Sequence, residues 1–314
     1  MITTSAPGKI ILFGEHAVVY HRPAIAVPVA QVQASATIAA SATVEPHAHG
    51  LIIHALDTGR TLDYAQAEPS DPLAAIVRVT LAHFGLPAPD ATLSIRSAIP
   101  IASGLGSGAA VSVAVVRALA AWFDLPIDDE TVSRLSYEVE KLHHGTPSGI
   151  DNTVIAYNRP VYFVRGQPIQ TFNVKRPFTV AIGNTGIASP TKIAVGDVRK
   201  GWEADRARYE AWFDQVGAIA NNARTAIEDG SIEQLGPLMD QNQALLEHIG
   251  VSSVELEHLV GAAKAAGAAG AKLVGGGRGG NMIALIDVTN REAVVAALYA
   301  AGAVSVIATE IGNQ

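Results

Sequence analysis

The sequence predicts an α+β protein of two domains. The chain has 314 residues, 49% of them hydrophobic and 16% charged, which is enough apolar material for a large core. Strand-like and helix-like segments follow one another without the regular strand–helix alternation of a doubly wound sheet. Long charged, amphipathic segments begin after about residue 176. We therefore place the boundary between a domain of residues 1–176 and a domain of residues 177–314.

In the first domain, short apolar or alternating runs predict strands, and apolar residues at helical spacing predict helices. The predicted strands cover residues 10–13, 32–44, 51–56, 91–99 and a pair within 161–174 around Gly166. The predicted helices cover residues 71–84, 108–123 and 128–144. Glycine commonly ends a helix, so the first of these helices is predicted to end at Gly85 and the third at Gly145, shortly before Pro147.

The same patterns predict the elements of the second domain. Strands are expected at residues 178–182, 272–274, 281–286 and 304–309. One long helical region is expected at residues 193–228, followed by helices at 231–249, 254–266 and 291–301.

Composition excludes several classes of function. The chain has 22 Lys and Arg against 29 Asp and Glu, a net charge of −7, so a basic surface for nucleic acid is not expected. It has no cysteine, which excludes disulfides, cysteine-based metal sites and a cysteine nucleophile. The uncharged run 97–116 is broken by Pro100, glycines and serines, and the N-terminus does not resemble a signal peptide. A cytoplasmic protein without a membrane partner is expected.

The strongest local motif is the glycine-rich segment 101–110, which lies between a predicted strand and an apolar helix. Such a turn can bring backbone N–H groups close to an anion, although it can also be a tight turn without a ligand. No lysine follows the glycines, so a Walker loop is excluded. Gly104, Gly106 and Ala109 fit a loose dinucleotide pattern, but the strand ending in an acid that should follow is missing. A nicotinamide-dependent oxidoreductase is therefore the weaker alternative.

A second glycine cluster covers residues 275–280, where Arg278 is the one residue that is not glycine. It is either a flexible hairpin or a second backbone wall around a ligand.

Two acidic residues near the end of the first domain are candidates for chemistry: Glu140 lies within the predicted helix 128–144, and Asp151 follows that helix. Glu140 and His144 have the i, i+4 spacing of metal ligands, which is also that of a solvated pair. Asp151 is expected on a turn, where aspartate is common.

Taken together, these segments resemble the mevalonate kinases of the GHMP kinase superfamily. The resemblance rests on four ordered motifs that span nearly the whole chain: residues 7–20 (PGKI through GEHAVVY), 100–110, 144–151 (HGTPSGID) and 272–285. It implies a two-domain fold, with an N-terminal domain like ribosomal protein S5, a ferredoxin-like C-terminal domain and the active site in the cleft between them. It also implies ATP-dependent phosphorylation of the C5 hydroxyl of (R)-mevalonate, Mg²⁺ as cofactor and a homodimer.

The family motifs also imply a role for individual residues. Asp151 matches the catalytic base and Lys9 the lysine near the γ-phosphate. Glu140 and Ser107 match the metal site. Matches on the acceptor side are Glu15, His16, Ser148 and Thr191. Matches to nucleotide contacts are Ser97, Ser103, Gly104, Leu105, Gly106, Ser107, Gly108, Gly276 and Gly277. These roles suit the chemistry, because an alcohol needs a base to accept its proton and phosphoryl transfer needs charge neutralisation.

The chain departs from the family pattern at three positions. Gly108 stands where the family has a serine that binds magnesium, which predicts altered metal or nucleotide handling. Asn281 stands at the usual cysteine. Arg278 enters the third motif, and we expect its side chain to point to solvent because so tight a loop leaves little room inside. Alternatives within the fold are a phosphomevalonate kinase, a mevalonate 3-kinase or a non-catalytic ligand-binding relative.

Overall fold

A computed structural model of the protein describes residues 1–41, 50–100, 104–144, 147–188 and 191–312. Contacts between Cα atoms divide the chain into two compact units, each discontinuous in sequence. Unit 1 consists of Met1–Gly8, Val32–Pro100 and Gly106–Asn158, and unit 2 of Lys9–Gln31, Ile101–Leu105 and Arg159–Gln314. The division falls within the first two strands. The domain boundary expected at residue 176 stays a prediction.

Unit 1 contains a sheet covered by helices. Its strands are β1 (Ile2–Phe13, of which residues 2–8 belong here), the second half of β2 (Ala24–Ala40), β3 (Leu51–Ala55), β4 (Arg60–Asp63) and β5 (Ala91–Ser97). The strand order is β4-β3-β5-β2, with β1 also paired to β2. β3 and β5 are parallel, whereas β5 and β2 are antiparallel with Ile95 opposite Ala36. The mixed sheet explains why regular strand–helix alternation is missing from the sequence.

The longer helices in the described part of unit 1 are α1 (Pro72–Phe84), α2 (Ser107–Trp122), α3 (Asp129–His144) and α4 (Ile150–Tyr157). The first three confirm the predicted helices. In α1, the side chain of Asp71 accepts hydrogen bonds from the N–H groups of Leu73 and Ala74, and Gly85 ends the helix with φ +67°. These are the capping contacts expected of aspartate and glycine at helix ends. The expected stop at Gly145 lies outside the described residues.

Unit 2 contains a four-stranded antiparallel sheet of order β11-β8-β10-β9. Its strands are β8 (Phe178–Asn184), β9 (Gly270–Val274), β10 (Asn281–Ile286) and β11 (Ser305–Ile311). Ala284 of β10 lies opposite Ala181 of β8 on one side and Ala271 of β9 on the other. Two short strands, β6 (Val161–Phe163) and β7 (Gln170–Thr171), form the predicted antiparallel pair, and β6 also pairs with residues 24–26 of β2.

The helices of unit 2 are α5 (Thr191–Ala204), α6 (Arg206–Asp229), α7 (Leu235–Ile249), α8 (Val254–Ala265) and α9 (Arg291–Ala300). The predicted helical region at 193–228 is thus confirmed as helical, but it consists of two helices because the chain breaks at Asp205. The side chain of Asp205 accepts a hydrogen bond from the N–H group of Arg208 and so begins α6 as a new helix. In the described part of the chain, none of the helices has the length and hydropathy to cross a lipid bilayer.

Candidate active site

The turn after β1 carries two of the predicted site residues of unit 2. It begins at Gly14, which has φ +100°, and a Cβ there would lie 2.4 Å from Cα of Ala24, so only glycine fits. His16 follows with φ 60° and ψ −46°, and the N–H of Ala17 donates to the carbonyl oxygen of Glu15 at 2.6 Å. This three-residue γ-turn is a rare and strained backbone conformation that tends to occur at functional sites.

Lys9 lies in β1 and is only 3% exposed. Its backbone N–H donates to the carbonyl oxygen of Leu105 at 2.9 Å, so the strand is joined to the start of the first glycine-rich turn. A surface lysine at a strand edge is therefore excluded. A buried ammonium group is costly unless it is paired, which makes Lys9 a candidate for interaction with an anionic ligand or side chain.

Glu15 forms an ion pair with Lys272 of β9, and both side chains are fully buried. The second carboxylate oxygen of Glu15 accepts from Nδ2 of Asn242 on α7 at 3.3 Å. The ammonium group of Lys272 also donates to the carbonyl oxygen of Leu273 at 2.7 Å. Burial lowers the pKa of Lys272, and the charge of Glu15 opposes that shift. The structure thus places both oxygens of Glu15 in an internal network, while its predicted role towards the acceptor stays a prediction.

Lys272 and Asn242 are not among the site residues predicted from the sequence. A usable signal for Lys272 was its position inside the buried strand GAKLV, where a charge needs a partner. Asn242 gave no such signal, because amides are common on amphipathic helices.

His16 is buried and its Nε2 lies 3.1 Å from the carbonyl oxygen of Gly276. A carbonyl oxygen only accepts, so Nε2 carries the hydrogen of this bond. Burial lowers the pKa of His16 to about 4; the bond to Gly276 opposes the shift and the charge of Arg278 adds to it. The imidazole is therefore neutral near pH 7, and it joins the turn after β1 to the second glycine cluster.

That second cluster, the glycine loop (residues 275–280), joins β9 to β10 and is held closely. A Cβ on Gly277 would lie 2.0 Å from the carbonyl oxygen of Val251, and one on Gly279 would lie 2.8 Å from that of Ile187. The N–H of Gly280 donates to the carbonyl oxygen of Ile187 at 2.8 Å. The loop closes a hairpin between the antiparallel strands β9 and β10, and these contacts anchor it. Gly276 and Gly277 as phosphate contacts stay a prediction.

The expectation that Arg278 points to solvent is also wrong. Its Nη1 lies 2.6 Å from Oδ2 of Asp197 on α5, and its Nε and Nη2 donate to the carbonyl oxygen of Gly250 at 3.3 and 3.2 Å. Gly250 caps the C-terminus of α7, where unpaired carbonyl groups attract cations. Hydrogen bonds from Arg278 and Lys200 lower the pKa of Asp197. Thr191 is the exposed first residue of the same helix α5.

In unit 1, the predicted phosphate turn leads directly into helix α2. Gly106 precedes the helix with φ +76°, and the hydroxyl of Ser107, its first residue, lies 3.3 Å from the hydroxyl of Ser97. Gly108 is exposed, and a Cβ there would meet nothing within 4 Å, so a serine fits sterically. In unit 2, Gly104 is exposed with φ +78° and Leu105 is buried. Ser103 lies outside the described residues.

Asp151 lies in the first turn of α4, and its expected position on a turn is wrong. Gly149 precedes the helix with φ +87°, and the hydroxyl of Ser148 accepts from the N–H of Ile150 at 3.4 Å. The start of a helix is favourable for a carboxylate because the helix dipole is positive there. Asp151 is half-buried.

The starts of α2 and α4 lie at the same end of the helix cluster as the C-terminal end of α3. Arg117 in the second half of α2 donates both to Asp129 at the start of α3 and to Ala156 at the end of α4. Nearer the other end, the hydroxyl of Tyr137 on α3 donates to Pro147, just before α4. Helix α3 therefore runs antiparallel to both of its neighbours.

This arrangement places Ser107, Glu140 and Asp151 at one end of unit 1. Their hydroxyl and carboxylate oxygens are the donors that Mg²⁺ prefers, and magnesium usually takes only one or two carboxylates besides phosphate oxygens and water. Among the described residues, no three His, Asp or Glu side chains form a metal-binding cluster. Magnesium binding by Glu140 and Ser107 stays a prediction. The side chain of His144, considered with Glu140, lies outside the described residues.

Comparison with known proteins decides the family. Residues 72–159 match the family model described as GHMP kinases N terminal domain, and residues 223–304 match that described as GHMP kinases C terminal. A mevalonate kinase from Pyrococcus abyssi is 36% identical, over 96% of this chain and 93% of its own length. A mevalonate kinase from Pyrococcus furiosus is 33% identical, over 100% of this chain and 97% of its own. The chain belongs to the mevalonate kinase family of GHMP kinases.

Solved structures confirm the two-domain GHMP kinase fold of this mevalonate kinase family member. The crystal structure of L. major mevalonate kinase in complex with R-mevalonate is 29% identical with a TM-score of 0.83, and the match covers 99% of this chain and 96% of that chain. A Streptococcus pneumoniae phosphomevalonate kinase has a TM-score of 0.81 at 19% identity, covering 98% of this chain and 100% of its own. Because the sister kinase has the same fold, the fold by itself does not select the acceptor.

Proposed function

We propose that this protein transfers the γ-phosphoryl group of ATP to the C5 hydroxyl of (R)-mevalonate, giving 5-phosphomevalonate and ADP. The observation that carries the proposal is the identity of at least 33% to the two Pyrococcus mevalonate kinases over nearly the full length of both chains. The curated relatives have this name, whereas the phosphomevalonate kinase matches at only 19% identity.

In this reaction the acceptor oxygen forms a bond to the γ-phosphorus as the bond from that phosphorus to the β,γ-bridging oxygen breaks. We assign the base to Asp151, which accepts the hydroxyl proton from its position in the first turn of α4. The positive charge of Lys9 stabilises the negative charge on the transferring group. Backbone N–H groups at the start of α2 bind the phosphates, as helix N-termini do in general.

We further propose Mg²⁺ as the cofactor, held through Glu140 and Ser107 on the helix ends of unit 1. When bound, the ion neutralises phosphate charge. The family resemblance also supports a homodimer that acts in the cytoplasm on small molecules, without nucleic-acid or membrane partners. Light scattering after size-exclusion chromatography measures the oligomeric state directly.

The test is an ADP-release assay with four acceptors: mevalonate, 5-phosphomevalonate, galactose and homoserine. We expect turnover with mevalonate, and the position of the phosphate on C5 is checked by ³¹P and ¹³C NMR. Preferred turnover of 5-phosphomevalonate, or a phosphate on C3, assigns the protein to a sister activity. Binding of mevalonate or ATP without turnover favours a non-catalytic relative.

Asp151→Asn tests the base. It should lower kcat by about 10²–10⁴-fold, the usual contribution of a positioned base, while ATP binding is retained. Asp124→Asn is the matched control, because Asp124 is exposed and has φ 54°, a conformation that asparagine tolerates. Normal turnover of Asp151→Asn would refute the assignment.

A further inference from the structure

We propose that Arg278 is a positioning residue: through Asp197 it ties helix α5 to the glycine loop and so holds Thr191 in place for the acceptor. This inference rests on the proposed function, since the acceptor-side role of Thr191 comes from the family motif. It adds a role for the arginine that interrupts the glycine-rich motif and for its partner on α5.

Arg278 contacts two separate parts of unit 2, the segment Gly250–Val251 after helix α7 and Asp197 on helix α5. Its backbone N–H donates to the carbonyl oxygen of Val251 at 2.8 Å, and its guanidinium donates to Gly250 at the end of α7. Its remaining arm, Nη1, reaches Asp197 at 2.6 Å. The planar guanidinium offers donors in a rigid fork, so one side chain can fix two partners at a set geometry.

The glycine loop is a suitable anchor because it is fixed without help from Arg278. His16 donates to Gly276, and Gly280 bonds to Ile187 as described above. The N–H of Thr185 also donates to the carbonyl oxygen of Gly280 at 2.8 Å. The side chain of Arg278 therefore extends from a held backbone.

Helix α5 is held by fewer contacts of its own than the glycine loop, so an additional attachment matters more for the helix. Only Ala194 and Val198 are buried among its residues, so little apolar packing holds it. Its C-terminal end is attached through Trp202, whose Nε1 donates to Glu210 of α6 at 2.8 Å and whose ring lies 5.4 Å from that of Tyr20. Asp197 provides the attachment in the N-terminal half, about 9 Å along the helix axis from Thr191 at 1.5 Å per residue.

The backbone at Arg278 indicates that the side chain has a function. It has φ +57°, a left-handed conformation that is unfavourable for any residue with a Cβ, and glycine would adopt it without strain. An arginine here incurs a backbone cost that its side-chain contacts must offset. Arg278 and Asp197 are each 36% exposed, so the ion pair stays in contact with water and its strength should fall with salt.

The decisive variants remove the ion pair between Arg278 and Asp197 by changing one member at a time. Asp197→Ala deletes the carboxylate without altering the loop, and Arg278→Gly deletes the arginine while relieving the backbone strain. The matched control is Glu203→Ala, which removes the exposed Arg199–Glu203 pair on the same helix and leaves the loop untouched. Arg278→Lys retains the charge but loses the fork.

We expect Asp197→Ala and Arg278→Gly each to raise KM for mevalonate by about three- to fivefold, the range of a partly exposed ion pair. KM for ATP and kcat should stay within about twofold, and the double variant should be no worse than either single one. Arg278→Lys should restore part of the affinity, and Glu203→Ala should change nothing. Unchanged KM for mevalonate, or additive single effects, would overturn the proposal.

Hydrogen exchange gives a readout that does not depend on the substrate. Amides of residues 191–198 should exchange several times faster in Asp197→Ala and Arg278→Gly, while those of α9 stay unchanged. If the amides of residues 191–198 exchange at the same rate in all variants, or as fast in Glu203→Ala as in Asp197→Ala, then Arg278 does not hold α5. This conclusion would apply even if the wild-type enzyme phosphorylates mevalonate. If the wild type fails to turn over mevalonate, the proposed function fails, and exchange alone decides whether Arg278 holds α5.

Discussion

Glu15 and Lys272 are 257 positions apart in the sequence and form an ion pair with no solvent exposure of either side chain. The pair joins the γ-turn at His16 to the strand that enters the glycine loop. The buried carboxylate and ammonium are costly to desolvate, and each depends on the other for compensation.

Removing one member of this pair should strongly destabilise the protein. We expect Lys272→Met to lower the free energy of unfolding by about 3–5 kcal/mol, because Glu15 is left as an uncompensated buried charge. Urea unfolding measures the loss. The control is Lys264→Met, which removes the partly exposed pair with Asp240 and should cost at most about 1 kcal/mol. Equal losses in the two variants would contradict the assignment of a buried charge pair.

His16 should make stability depend on pH. Its pKa is lowered from 6.5 to about 4 in the folded protein, so the unfolded chain binds a proton that the folded chain does not between these values. The stabilisation that comes from keeping His16 neutral in the folded protein is therefore complete above pH 6.5, and it is lost as the pH falls towards 4. By linkage, the wild type should lose about 2 kcal/mol more than His16→Asn between pH 7 and pH 5. Asparagine is chosen because it tolerates the positive φ, and identical pH profiles from urea unfolding would refute the low pKa.

The glycine loop offers a comparison between two glycines with similar φ angles. Gly277 has φ +71° and no room for a Cβ beside Val251, whereas Gly275 has φ +76° and open space. Gly275→Ala should therefore cost only backbone strain, about 1 kcal/mol. Gly277→Ala should cost clearly more, about 3 kcal/mol or above, because the backbone of Val251 must move. Chemical unfolding of both variants measures the difference, and equal costs would contradict the close packing of the loop.

Gly108 should affect how the enzyme depends on magnesium. A serine there meets no steric obstacle and would add a hydroxyl oxygen beside Ser107 at the start of α2. We expect Gly108→Ser to lower the half-saturating Mg²⁺ concentration several-fold, since oxygen donors are what this ion binds. Gly261→Ser is the control, because Gly261 on α8 also has open space around its Cα. An unchanged Mg²⁺ and ATP dependence in Gly108→Ser would show that the glycine does not alter metal handling.

Much of this protein follows from local sequence. Alternating and helical spacing predict most of the strands and helices, and Asp71 and Gly85 mark the ends of α1 because capping is a property of a few neighbouring residues. The ordered motifs indicate the family, since each is a short run of residues that can be recognised without knowledge of the tertiary structure. The break at Asp205 and the short helix α4 were missed, because both depend on a single cap or on packing against other helices.

Only the tertiary structure decided the partners of the charged residues. Nothing in the sequence joins Glu15 to Lys272, or Arg278 to Asp197, because strand pairing and helix packing bring these residues together across long separations. The low pKa of His16 likewise comes from burial, which depends on the whole of unit 2. Residue types and local spacing therefore determined which chemistry the chain can offer. The packed structure decided which of those groups are paired with one another inside the protein, because desolvation and pairing act only after folding.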